Sequence, residues 1–340
     1  MKNNKIYKLY VIYYNIMNNL DLLDRKILYE LDMDSRQPIS KLAKKLQKKR
    51  NTIEYRIKKL QDKGIIKNFV TLLDAEKLGL TVWNVYLEFQ DINLKIEQSI
   101  INYLKKINKV WWIAQTTGKY DFIYSMCVKD VKELYNLVRD FNSEFGKYIL
   151  KQDILAHVEV DVFSRGYFLD KPSSIGIKWA KKTEPITVDK IDKKILKVLS
   201  INARISSLDL AQKIKTTPRI VIYRIKELQS KGVISRFRLQ LDVNKIGYRF
   251  YKVIIYIKNF SKEEESKLRE YCKSLGNIFH YEKKIGSWML ELEMDIKNYE
   301  SAHKLMKTMK EKFSNYIKSY DLMLITNEPK GELDLSQQLD

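Results

Sequence analysis

A chain of 340 residues that is 45% hydrophobic has room for roughly two to four domains, each with its own core. Lys and Arg number 63 against 42 Asp and Glu, so the formal charge is +21 and a polyanion is the first partner to consider. Cys127 and Cys272 lie far apart in no C-x-x-C pair, which suggests neither a zinc nor a redox motif. The apolar stretch from Ile6 to Met17 is too short to span a membrane and no small-residue cleavage site follows it, so a cytoplasmic protein with no membrane partner is expected.

In chain order, residues 1–18 precede the first recognisable element and read as a tail with no assigned function. From Asp21 to Gly64, apolar residues recur at helical spacing in three segments. The first turns Leu23, Ile27, Leu28 and Leu31 inward; the second Ile39, Leu42, Ala43 and Leu46; the third Ile53, Ile57 and Leu60. Gly64 suits the left-handed position that ends a helix, and the β-prone run Ile65 to Leu73 is expected to supply a β wing. The second and third segments form a helix-turn-helix pattern.

Opposite its buried positions the third helix presents Asn51, Glu54, Tyr55 and Lys58, with Lys48, Lys49 and Arg50 at its N-terminus and Thr52 beside them. Between Lys41 and Lys67 eleven residues are basic and only Glu54 and Asp62 are acidic, an imbalance that phosphate contact explains better than solvation. Asn51 has the chemistry to bond adenine and Arg50 guanine. Arg56, one position from a buried Ile, is expected to tie helices together instead of facing DNA.

A second pattern follows. Val82 to Phe89 alternates like a strand, Ile96 to Lys106 is amphipathic, Val110 to Thr116 and Phe122 to Val128 are β-prone, Val131 to Phe145 is helical, and Ile154 to Val162 is a last strand. Pro172, Ser173, Ser174, Gly176 and Pro185 then mark a linker.

After the linker the chain repeats itself at a fixed offset of 168 residues without gaps, with 24 identities over the 60 positions from Leu20 to Gly79. The three helical segments return with Ile191, Ile195, Leu196 and Leu199; Leu208, Leu210, Ala211 and Ile214; and Val221, Ile225 and Leu228 inward. Thr217 and Pro218 suit the N-cap and first turn of the third helix, whose outer face carries Arg219, Ile222, Tyr223 and Lys226. Arg236, in the β-prone run Val233 to Leu241, completes the residues expected at DNA. Strands at Tyr251 to Ile257, Ile278 to Lys284, Trp288 to Met294 and Ile317 to Ile325 alternate with helices at Glu263 to Leu275 and Tyr299 to Phe313. The expected class is α+β, with helix-turn-helix domains at 19–74 and 188–242, α/β domains at 80–162 and 248–327, a linker at 163–187 and an acidic tail at 328–340.

The run L-D-x-x-D-x-x-I-L-x-x-L at Leu20 to Leu31, then Arg36, Leu42-Ala43 and Tyr55-Arg56-Ile57-x-x-Leu60-x-x-x-Gly64-Ile65-Ile66, resembles the Lrp/AsnC feast/famine regulators. Val188 to Ile234 resembles it equally, apart from Val at the opening Leu. The resemblance covers about residues 20 to 327, although the family's usual form has one unit per chain. It implies winged helix-turn-helix domains, each followed by a RAM-like ferredoxin-fold βαββαβ domain that dimerises. It also implies double-stranded DNA as partner, an amino-acid-like effector and no catalysis. The two copies are then expected to pair as an intramolecular pseudo-dimer reading unlike half-sites, with further homodimerisation open. No cofactor or metal is expected.

The family's effector turn, G-x-(aromatic)-D, is matched by Gly118-Lys119-Tyr120-Asp121, whereas Gly286-Ser287-Trp288-Met289 has lost the acid. Asp121 either joins Gly118 and Tyr120 in an effector site or simply closes a β-turn. Two other readings stand beside the gated regulator. One is an effector-independent architectural DNA-binding protein. The other is a siroheme decarboxylase of haem biosynthesis, since those enzymes resemble the same two-domain plan; catalysis there needs histidines and arginines at the tetrapyrrole. Only His157, His280 and His303 are present, and His280-Tyr281-Glu282-Lys283-Lys284 is loosely similar to a motif of those enzymes.

Overall fold

The computed structural model describes residues 20–174, 178–179, 184–259 and 261–331; the expected tail 1–18 and residues 332–340 lie outside them. Helices α1 (Leu22–Met33), α2 (Ile39–Leu46) and α3 (Arg50–Asp62) bury the expected apolar stripes, and strand β1 (Ile66–Leu73) follows. Gly64 ends α3 with φ 65°, the left-handed conformation its position called for. Then come β2 (Thr81–Phe89), α4 (Leu94–Lys106), β3 (Val110–Thr117), β4 (Phe122–Val128), α5 (Val131–Phe145) and the long β5 (Ile149–Val162).

After the two-residue strand β6 (Lys178–Trp179), the second copy gives α6 (Lys190–Ile201), α7 (Ser207–Ile214), α8 (Pro218–Ser230) and β7 (Ile234–Leu241). It continues with β8 (Arg249–Ile257), α9 (Lys262–Ser274), β9 (Ile278–Ile285), β10 (Leu290–Ile296), α10 (Tyr299–Lys312) and β11 (Ile317–Lys330).

The wing takes an unexpected form. Among the described residues no partner strand precedes or follows β1 within its own unit; β1 pairs antiparallel with β7 of the other copy, from Ile66 opposite Leu241 to Leu73 opposite Ile234. A single strand leaves an open row of N–H and C=O groups, and the duplicate supplies the matching edge. Leu208, placed inward by sequence, is exposed, because the buried stripe of α7 runs through Leu210 and Ala211. Arg56 behaves as expected, tying α3 to Asp21 and to Asp24 at 3.1 Å, and its counterpart Arg224 ties α8 to Asp189 at 2.8 Å.

The strands of the two α/β units close into one ring. The first part of β5 pairs with β2 of its own copy and its later part with β9 of the other; β11 likewise pairs first with β8 and then with β3. The order β5-β2-β4-β3-β11-β8-β10-β9 therefore returns to β5, removing every edge among these eight strands. Outside the ring each copy keeps a helix-on-sheet core, Ile100, Leu104 and Phe141 in the first and Leu268, Ala302 and Met306 in the second. Tyr86, Trp112, Tyr120, Trp288 and Met323 belong to a third cluster that continues into the helix-turn-helix units.

Part of the expected linker is packed. Phe163, Tyr167 and Phe168 are buried, because a segment rich in Pro and Ser still carries three large apolar rings. The last strand runs to Lys330, so residues 328–330, assigned above to an acidic tail, belong to β11.

Candidate functional site

The outer faces of α3 and α8 are exposed as their periodicity required. Lys48, Lys49, Arg50, Asn51, Tyr55 and Lys58 are exposed on the first unit and Thr52 is half-buried. Thr217, Arg219, Ile222, Tyr223 and Lys226 are exposed on the second. Thr217 accepts from the backbone N–H of Ile220 at 3.3 Å and Pro218 opens the helix, whereas α3 starts at Lys49 with no side-chain cap. Arg50 is held by Glu54 at 2.8 Å along its own helix. Arg236 sits elsewhere: it lies on β7 opposite Leu72, and burial pushes its guanidinium below the usual arginine range.

The two reading units are clamped reciprocally. Arg36 donates to the carbonyl oxygens of Ala203 and Ile205, at 2.5 and 2.9 Å, while its counterpart Arg204 donates to those of Ser35 and Gln37. Each guanidinium also lies over a ring of the β1–β7 ribbon, Arg36 5.7 Å from Phe237 and Arg204 5.3 Å from Phe69. The two reading units are thus joined by contacts that neither copy makes alone.

The turn Gly118-Lys119-Tyr120-Asp121 is docked against the other copy. A Cβ on Gly118 would lie 2.6 Å from the carbonyl oxygen of Leu322, and one on Gly286 would lie 3.0 Å from that of Ile154, the equivalent position. Tyr120 is buried with its hydroxyl on Asp153, and the exposed Asp121 accepts from the Phe89 N–H at 2.8 Å. The Asp121 carboxylate thus ties the turn to the end of β2.

A cleft of about 350 Å³ opens between the β1–β7 ribbon and the ring. Val70, Leu239, Phe250 and Phe279 form apolar walls; Arg165, Arg238, Lys252, His157, His280 and Glu293 supply polar ones. His157 and His280, distant in sequence, meet here, while His303 lies on α10 beside Tyr299 and Tyr320.

At the cleft floor the buried ammonium of Lys252 forms ion pairs with Glu282, Glu291 and Glu293 at 3.3, 3.0 and 2.7 Å, and that of Lys284 with Glu282 at 2.8 Å. Lys284 also lies 2.6 Å from His157 Nε2; an ammonium only donates, so Nε2 accepts. Burial and Lys284 push the His157 pKa well down. His280 Nδ1 lies 2.7 Å from Glu293; burial works against its charge, but Glu293 and Glu282 prevail and its pKa is raised.

Among the described residues, His280, Glu282 and Glu293 are a set whose ligand atoms fall within 4.8 Å of one another, the spacing a metal would need. The Lys252 ammonium already sits on both carboxylates, 3.3 Å from Glu282 and 2.7 Å from Glu293, in the place a metal would have to take. The sequence carried a sign of this cluster that periodicity reading passed over. Glu291, Glu293 and Asp295 alternate with apolar residues in β10, a pattern that reads as a solvated face, yet here all three point into the ring and are buried.

The profile of the winged helix-turn-helix DNA-binding family matches residues 20–67 and 188–235. The HTH-type transcriptional regulator FL11 of Pyrococcus horikoshii is 31% identical over 121 residues, 35% of this chain and 78% of that protein. The regulatory protein AsnC of Haemophilus influenzae is 30% identical over 122 residues, 36% of this chain and 81% of that protein. The chain belongs to the Lrp/AsnC family. It also shares a fold with the siroheme decarboxylase NirDL, whose crystal structure superposes with a TM-score of 0.62 at 16% identity, covering 94% of this chain and 97% of that one.

Proposed function

We propose that the chain is a DNA-binding transcriptional regulator, not an enzyme, that acts as an intramolecular pseudo-dimer. Its partner is double-stranded DNA, and its two recognition helices read unlike half-sites. The observation that carries this reading is the reciprocal Arg36 and Arg204 clamp, which joins two units with exposed and differently composed recognition faces. One helix offers Asn51, Tyr55 and Lys58, the other Arg219, Ile222, Tyr223 and Lys226, so the site read is an imperfect palindrome. Selection of binding sites from random double-stranded DNA by the full chain tests this. Enrichment of two dissimilar half-sites at fixed spacing is the expected result, and a pool that stays random overturns it.

A second reading, a siroheme decarboxylase-like enzyme, draws on one observation: His157, His280, Arg165 and Arg238 line the same cleft. Against it, His157 is engaged by Lys284, and Arg165 and Arg238 are engaged by Asp32. Mixing the protein with siroheme separates the readings, because a shifted Soret band with a decarboxylated product supports the enzyme and unchanged siroheme supports the regulator.

A further inference from the structure

The charged floor of the cleft exists in one copy only. At the 168-residue offset, the counterparts of Lys252, His280, Glu282, Glu291 and Glu293 are Asn84, Trp112, Ala114, Ile123 and Ser125. The first copy's wall of the ring closes with neutral side chains, so ring closure does not require the ions. Removing this many charges from water opposes folding unless every one is compensated. A cluster confined to one half of a duplicated barrel, and facing a cleft, therefore points to a ligand bound once per chain.

Most of the charges on the cleft wall already have partners inside the protein. Arg165 is bonded to Asp32 and Asp295, Arg238 to Asp32, Lys252 to three glutamates, and Glu328 accepts from Trp112 Nε1 at 2.9 Å. His280 differs. Its Nδ1 is spent on Glu293, but its buried Nε2 has no hydrogen-bond partner. Glu282, Glu291 and Glu293 outnumber Lys252 and Lys284 by one charge, which an imidazolium at His280 cancels. In that state Nε2 carries a proton and needs an acceptor, and Lys67 at the cleft wall adds a cation on the ribbon side. An aromatic surface adjoins the imidazole: the Phe279 ring lies 4.9 Å from it and 5.5 Å from Phe250, with the Arg165 guanidinium 4.5 Å from the Phe279 ring centre.

We propose that the cleft binds one planar, carboxylate-bearing metabolite per chain, with its carboxylate accepting from His280 Nε2 and its ring against Phe250 and Phe279. The cleft wall includes Val70 of β1 and Leu239 of β7, so an occupant touches the ribbon that carries both reading units as well as the ring. Its role as an effector site rests on the regulator reading; its binding does not.

The test uses the full chain without DNA, so it stands or falls apart from site selection. 2-Naphthoate, its neutral amide and the cationic 2-naphthylmethylammonium are titrated while the fluorescence of the five tryptophans is followed; Trp111 and Trp112 line the cleft. Saturation by the acid at one equivalent is expected, about tenfold tighter than by the amide, since a charge-assisted hydrogen bond is at stake. The ammonium compound is expected not to saturate. His280→Gln should remove the preference of acid over amide. Equal binding of acid and amide, saturation by the cation, or no saturation by the acid at millimolar concentration overturns the proposal. The comparison of acid with amide needs no variant, so it remains decisive should His280→Gln fail to fold.

Discussion

Asp32, near the end of α1 in the first reading unit, receives Arg238 of β7 from the second copy, with Nη2 3.0 Å from Oδ1 and both side chains buried. Arg165 bonds the same carboxylate at 2.9 Å and reaches Asp295 of the ring at 2.7 Å. Burial alone would raise the Asp32 pKa, but the two guanidiniums hold it below the usual carboxylate range. Burial in turn lowers Arg238 to about 10. Asp32→Asn leaves both cations without this charge, and breaking a buried ion pair in this way costs about 3–5 kcal/mol. Urea unfolding should show that loss. A change under about 1 kcal/mol would mean that solvent reaches the pair.

The two cleft histidines should shape the pH dependence of stability in opposite senses. His280 binds its proton more firmly folded than unfolded, so its contribution is full below about pH 6.5 and is lost as pH rises through its raised folded value. His157 is held neutral, so its contribution is full above about pH 6.5 and is lost as pH falls toward its depressed folded value. Together they place a stability maximum near neutrality. Urea midpoints from pH 5 to 8 should lose the alkaline decline in His280→Asn and the acid decline in His157→Asn; limbs unchanged by the substitutions would assign the pH dependence to other groups.

Salt dependence separates phosphate contacts from base reading. Each phosphate contact contributes about 0.9 to the slope of log affinity against log salt, so replacing Lys48 and Lys49 with Ala should reduce that slope by about 2 across all sequences. Asn51→Ala and Arg219→Ala should instead relax preference within one half-site each. A slope unchanged by the double substitution removes the two lysines from the interface.

The glycine of the interface turn should matter more than its acid. Gly118 has φ 140° and no room for a Cβ before the Leu322 carbonyl, so Gly118→Ala should cost about 1–3 kcal/mol. Asp121→Ala removes one hydrogen bond from Phe89, worth about 1 kcal/mol. Thermal unfolding of both variants checks the order. Gly118→Ala as stable as the parent would show that the two copies do not approach so closely.

Much of this protein was determined locally. Helical periodicity set α1 to α3 and their repeats, Thr217 and Pro218 set where α8 begins, and Gly64 set where α3 ends, because each signal acts within a few residues along the chain. The exposed faces of Asn51, Tyr55, Arg219 and Tyr223 follow from the same spacing. Contacts across the duplication were decided only by tertiary structure. The pairing of β1 with β7, the clamps of Arg36 and Arg204, and the junction of Asp32 with Arg238 depend on residues roughly 160 to 210 positions apart along the chain. The face on which Glu291 and Glu293 lie reads identically in one dimension whether it meets solvent or Lys252. Only closing the eight strands made it an interior.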